Sequence, residues 1–134
     1  MEFNVETEHE TAVILKIFSD PYFTLYKLLG AETVVAENKE FEASLPLGVL
    51  SIIIRGSVYE GNNRVSYKFS TVGLSRGEGG ELNITVPKEG EIKVIFQYEG
   101  TMKSLINFMV RRRIAKNINN LNEEIRLERI RRKI

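Results

Sequence analysis

The stretch MKSLINFMVRRRIAKNINNLNEEIRLERIRR, residues 102–132, contains no glycine and no proline. Apolar residues recur in it at Leu105, Ile106, Met109, Val110, Ile114, Ile118, Leu121, Ile125 and Ile130. They recur mostly in steps of three and four, which draws one stripe along a helix. At 1.5 Å per residue such a helix is about 45 Å long, longer than a small domain needs. The spacing therefore predicts a first half lying on the rest of the chain and last turns that project. Arg111, Arg112 and Arg113 are consecutive and spread over about 200° of the helix, so they cannot all face the same way.

Upstream of this helix the period changes to two. Glu2 to Thr7 alternates Phe3, Val5 and Thr7 against Asn4 and Glu6, a strand with one buried face. Six more strands are expected at 31–37, 39–45, 49–60, 64–72, 81–86 and 91–99. Gly61-Asn62-Asn63 is a hairpin turn, and Pro87 to Gly90 turns the chain again. Between the first two strands, Thr7 and Glu10 fit a capping box ahead of a short apolar helix, Thr11 to Phe18. Ser19-Asp20-Pro21 breaks it, with Asp20 as cap and Pro21 at the first turn of a second helix. That helix should run to about Leu29 and stop at Gly30. Alternation in seven strands implies one wet face and one dry face, and only the C-terminal helix is long enough to cover the dry one. The expected architecture is one α+β domain over residues 1–134. A seven-stranded curved antiparallel sheet wraps a long C-terminal helix, with two short helices after the first strand.

Composition narrows the chemistry. At 134 residues the chain matches one domain, and with no cysteine it has neither disulfides nor thiol chemistry. The single histidine, His9, argues against a multi-histidine metal site. No apolar run approaches the roughly 20 residues of a membrane span, and the acidic start is unlike a secretory signal, so a cytoplasmic protein is expected. A net charge of +1 conceals an asymmetry. From Lys103 onward there are ten Lys/Arg and three Asp/Glu, a net of +7, against nine and fifteen before it, a net of −6. An anionic partner should meet the C-terminal segment.

The order strand, two short helices, six strands, long helix resembles the START, or helix-grip (SRPBCC-like), superfamily. That superfamily includes polyketide cyclases, lipid carriers and pollen-allergen-like ligand binders. The resemblance spans the chain and rests on three stretches: Phe3-Asn4-Val5 before the first helix, Phe18-Ser19-Asp20-Pro21-Tyr22 at the helix break, and the apolar helix after Tyr98. Within the superfamily the chain is similar to the carbon-monoxide-dehydrogenase-subunit-G-like group and to small archaeal relatives, through Leu47-Gly48 to Gly56. The resemblance implies an apolar cavity between helix and sheet and no single chemistry, since carriers and enzymes share the fold.

Inward parity supplies the candidate ligand-binding residues. From the sheet they are Leu50, Ile52, Ile54, Tyr67, Phe69, Thr71, Leu82, Ile84, Phe96 and Tyr98; from the helix, Leu105, Ile106 and Met109. The same pattern describes a solidly filled core. Tyr67, Thr71 and Tyr98 are the inward polar groups, each needing a partner when buried. His9, beside Glu8 and Glu10, reads as a solvated helix-start residue, and parity places Arg55 on the outer face. The loop Gly73 to Gly80 precedes a strand, so it reads as a hairpin loop, one able to gate a pocket mouth, and not as a phosphate cradle. Glu40, Glu42, Glu78 and Glu81 lack metal-ligand spacing. No catalytic residue and no cofactor motif is identified.

Three functions remain open. One is binding or transport of a small hydrophobic molecule or lipid. The second is a cyclase- or hydrolase-type enzyme using the same cavity. The third is an interaction module whose basic helix meets an acidic partner, either nucleic acid or an acidic membrane surface. The stripe Ile114, Ile118, Leu121 and Ile125 adds the expectation of a homodimer through the distal helix.

Overall fold

The computed structural model describes residues 2–73 and 79–134. Seven strands form one antiparallel sheet: β1 (Glu2–Glu6), β2 (Thr33–Glu37), β3 (Glu40–Leu47), β4 (Leu50–Gly61), β5 (Arg64–Val72), β6 (Gly79–Lys88) and β7 (Glu91–Glu99). Their order across the sheet is β1-β7-β6-β5-β4-β3-β2, so successive strands from β2 to β7 are neighbours and β1 closes the far edge against β7. The alternation predicted for β3, β5 and β7 is matched by buried and exposed positions along each strand. β3 and β6 run further than expected, through Pro46 and Pro87, while β2 begins two residues later than the pattern suggested.

One row across the sheet explains its bend. Phe41, Gly56, Phe69, Gly80 and Tyr98 are successive register partners on β3 to β7. A Cβ on Gly56 would meet the backbone of β5, 2.7 Å from the Cα of Phe69. One on Gly80 would lie 2.6 Å from the Phe69 ring and 2.5 Å from the Gln97 carbonyl oxygen. Glycine at both places lets neighbouring strands fold in close, and the aromatic side chains cover the gaps, the pattern that curves designed sheets.

Two short helices fill the space between β1 and β2: α1 (Thr11–Phe18) and α2 (Pro21–Lys27). The Asp20 side chain caps α2, accepting from the Tyr22 N–H at 2.9 Å, with Pro21 behind it as expected. The Thr7–Glu10 capping box does not form. Glu10 is the N-cap of α1 and makes no side-chain cap bond, while the Thr7 hydroxyl accepts from the His9 N–H at 3.1 Å. The second helix ends at Lys27, two residues early, and Gly30 turns the chain with φ +68.

The C-terminal helix is not continuous. α3 (Lys103–Asn117) passes through a 3-10 turn, Ile118–Asn120, into α4 (Leu121–Arg132). Asn117, Asn119 and Asn120 crowd this joint, and asparagine competes for backbone hydrogen bonds that a helix needs. The Asn117 amide donates to the Leu28 carbonyl at 2.9 Å, which fixes the joint over the end of α2. The last turns do not project. Leu121 and Ile125 are fully buried, and Arg132 pairs with Asp20 at 2.6 Å and with Glu128 at 2.5 Å. One continuous core joins Ile14, Ile17 and Phe18 of α1, the inner face of the sheet, Ile106, Val110 and Ile114 of α3, and Leu121 and Ile125 of α4. No helix is long and apolar enough to cross a membrane.

Candidate functional site

The sheet and the C-terminal helices bury most of the inner-face residues that strand parity places inward. Ile52, Ile54, Tyr67, Phe69, Thr71, Leu82, Ile84, Phe96 and Tyr98 are all buried on the inner face, and Ile106 meets them from α3. The Phe69 and Phe96 rings stack with centroids 6.0 Å apart. Two of the three inward polar groups are satisfied. Tyr67 donates its hydroxyl to the Phe18 carbonyl at 2.5 Å, which also accepts from the Thr24 hydroxyl at 2.7 Å. Burial pushes the Tyr67 phenol well above the usual tyrosine range. The Tyr98 hydroxyl donates to the Thr101 carbonyl at 3.0 Å. The third group is different. The Thr71 hydroxyl oxygen is buried with no hydrogen-bond partner among the described residues, at a position only 7 % exposed and opposite Ile54 in register.

Three expected wall residues lie at the rim instead. Leu50 is 44 % and Leu105 42 % exposed, and Met109 is half-buried. The buried stripe of α3 is Ile106, Val110, Ile114, and Leu105 and Met109 each sit one position behind it, turned about 100° away. Leu50 has inward parity but lies next to the β3–β4 turn, beyond the cover of the helix. Val49 and Met102, at the same end of the sheet, are also exposed, while the exposed Phe108 lies on the far side of α3 from its buried stripe. Of the loop Gly73 to Gly80, residues 74–78, Glu78 among them, lie outside the described residues, and Gly79 and Gly80 belong to β6. Arg55 is on the outer face, as parity predicts, bonded to Glu42 at 3.1 and 2.6 Å.

His9 departs from its reading as a solvated residue. Its Nε2 donates to the Asn122 carbonyl at 3.1 Å, and its Nδ1 accepts from Arg129 Nη1 at 3.2 Å. Both bonds together fit the neutral ring with its proton on Nε2. They border a surface cleft of about 1080 Å³ between β1, the β6–β7 turn and α4. Some of the cleft's charges pair within it, Arg126 with Glu123 and Lys88 with Glu91. Asn122 donates to the Glu6 carbonyl at 2.7 Å. This seam stitches the two ends of the chain together and was not legible in the sequence, because its partners are more than a hundred positions apart.

The basic residues separate into two groups. In α4, Arg126, Arg129, Arg131 and Arg132 each face a carboxylate: Glu123, Glu10, Glu128 and Asp20. Hydrogen bonds from Arg131, then Arg132, hold the Glu128 carboxyl below the usual carboxylate range. In α3, Arg111, Arg112, Arg113 and Lys116 have no carboxylate within 4.0 Å among the described residues. Arg112, Arg113 and Lys116 line a cleft of about 470 Å³ with Gly30, Met109 and Asn117. The inner face brings no pair of titratable groups into contact for acid–base work, and among the described residues no three His, Asp or Glu side chains converge as for a metal.

A sheet curved around a C-terminal helix, with an apolar interior between them, defines a helix-grip fold. One protein-family model matches residues 1–134. The chain belongs to the family of that model, and its fold is START-like. It superposes on a hypothetical protein from Sulfolobus tokodaii with a TM-score of 0.85 and 28% identity, covering 100% of this chain and 99% of that one. The START superfamily protein from Mycobacterium smegmatis gives 0.65 at 14% identity, covering 93% and 97%. Ginseng major latex-like protein 151 from Panax ginseng gives 0.60 at 9%, covering 92% and 93%. These last two share the fold alone. No curated protein matches the sequence.

Proposed function

We propose that the protein binds and carries a small hydrophobic molecule or lipid between the inner face of the sheet and α3, in the cytoplasm and without chemistry of its own. The observation that carries this reading is the Thr71 hydroxyl. A buried hydroxyl without a partner costs roughly 1–3 kcal/mol, and that of Thr71, opposite Ile54 in register, has none among the described residues. A ligand with an apolar body and one hydrogen-bonding group would satisfy it, the usual composition of such sites. The path in lies past Leu50, Leu105 and Met109, where α3 covers the sheet by a single buried residue per turn. The kinship with the carbon-monoxide-dehydrogenase-subunit-G-like group, carried by Leu47 to Gly56, belongs to the same proposal.

A fluorescent fatty-acid analogue should bind with saturation and raise the melting temperature, since binding to the folded state alone stabilises it. Thr71→Val keeps the shape and removes the orphan oxygen. It should leave the free protein as stable or up to about 2 kcal/mol more stable, while weakening the analogue several-fold. Absence of saturable binding to the wild type overturns the reading.

A further inference from the structure

On α3, positive charge is left uncompensated beside exposed apolar side chains. Every arginine of α4 has a carboxylate partner, yet Arg112, Arg113 and Lys116, about three to four turns upstream, have none among the described residues. Free cations on a helix are ordinarily spread out in solvent. These three line one open surface cleft of about 470 Å³ together with Gly30, Met109 and Asn117. Arg113 is held there. It donates to the Leu29 carbonyl at 3.4 Å, and its side chain crosses Gly30 so closely that a Cβ at that glycine would lie 2.6 Å from Arg113 Cδ. Arg112 is steadied over the Phe108 ring at 5.7 Å. Met109 belongs to both regions. It lines the basic cleft, and its Cε is 3.6 Å from where a Cβ on Gly48 would stand, so it lies against the β3–β4 turn beside the exposed Val49 and Leu50.

The geometry points to an anionic amphiphile as the ligand: a carboxylate or phosphate head held by Arg112, Arg113 and Lys116, and an alkyl tail entering past Met109 between α3 and the β3–β4 turn. This rests on the carrier reading above and names its ligand class. Guanidinium and ammonium groups that already lack a counter-ion lose no existing pair on taking one up, and both suit a tetrahedral or planar oxyanion. The acidic remainder of the chain repels such a head elsewhere and leaves this cleft as its place.

The test compares decanoate, decanol and inorganic phosphate by calorimetry on the wild type and on the double variant Arg112→Gln/Lys116→Gln, whose fold is checked by circular dichroism. Both residues are exposed, so the variant should fold. Wild type should bind decanoate at least tenfold more tightly than decanol and should not respond to phosphate alone. The variant should bind both decyl compounds with the wild type's affinity for decanol. Equal binding of decanoate and decanol by the wild type overturns this inference and leaves the carrier reading standing. Binding of neither overturns both. A response to phosphate as strong as that to decanoate marks a plain anion site and a tail that does no work, and an undiminished preference in the variant shows that Arg112 and Lys116 do not hold the head; either overturns it.

Discussion

Tyr67 shows how one side chain links packing to acid–base behaviour. Its ring tilts against Phe41 at 5.6 Å, its hydroxyl reaches the carbonyl that ends α1, and it has no exposure at all. Burial raises the phenol's pKa, so the folded protein holds the proton more tightly than the unfolded chain. The associated stability is complete below about pH 10, the value of a free tyrosine, and is lost as pH rises above it, by up to about 1.4 kcal/mol per pH unit. Thermal melts between pH 8 and 11.5 should therefore show a downward slope that Tyr67→Phe flattens. At neutral pH that variant should lose only about 1 kcal/mol, because the Thr24 hydroxyl still satisfies the Phe18 carbonyl. A slope of the same size in the variant would assign the alkaline loss to other groups.

Among the elements, the strands were legible and the helix joint was not. Period-two alternation identifies β3, β5 and β7 because each has one face on the core, and a slip of one residue would expose every apolar side chain. The long apolar stripe was read as one helix, since hydrophobic spacing is blind to a local change from α to 3-10 geometry. The signal that went unused was the cluster Asn117, Asn119 and Asn120. Leu50 and Leu105 were misplaced because parity and stripe give direction but not the extent of the covering layer. Thr71 was named correctly as an inward polar group, while its lack of a partner depends on neighbours that no pattern specifies. The glycine row belongs to this scale as well. Gly56→Ala forces a Cβ into the backbone of β5, which strands cannot relieve by changing rotamer. It should cost upwards of about 3 kcal/mol in urea unfolding. Gly61→Ala, where the nearest atoms are the tip of Arg64 at 3.8 Å, should change stability by less than about 1 kcal/mol.

At the scale of the whole molecule, the structure removes the ground for expecting a dimer through the distal helix. Ile114, Leu121 and Ile125 are fully buried and Ile118 is partly so, all against this chain's own core. Ile125→Lys should accordingly unfold the domain instead of yielding folded monomers, since it places an unpaired charge where no water reaches. Circular dichroism and sedimentation of that variant separate the two outcomes. A folded variant of reduced mass would restore the interface through the distal helix.

The seam between the chain's ends also dictates an order of events during synthesis. Glu2 to Glu6 pairs with residues 91–95 and with no other strand, and His9 and Glu6 find their partners at Asn122 and Arg129. On the ribosome, β1 emerges early and waits, edge unsatisfied, while the β2–β7 meander can form hairpin by hairpin. Docking of β1 and then of α4 closes loops of some ninety to one hundred and twenty residues, the slow kind of contact for any chain. Pulse-labelling by hydrogen exchange during refolding would register that delay as late protection of the Phe3 to Glu6 amides relative to those of β4 and β5.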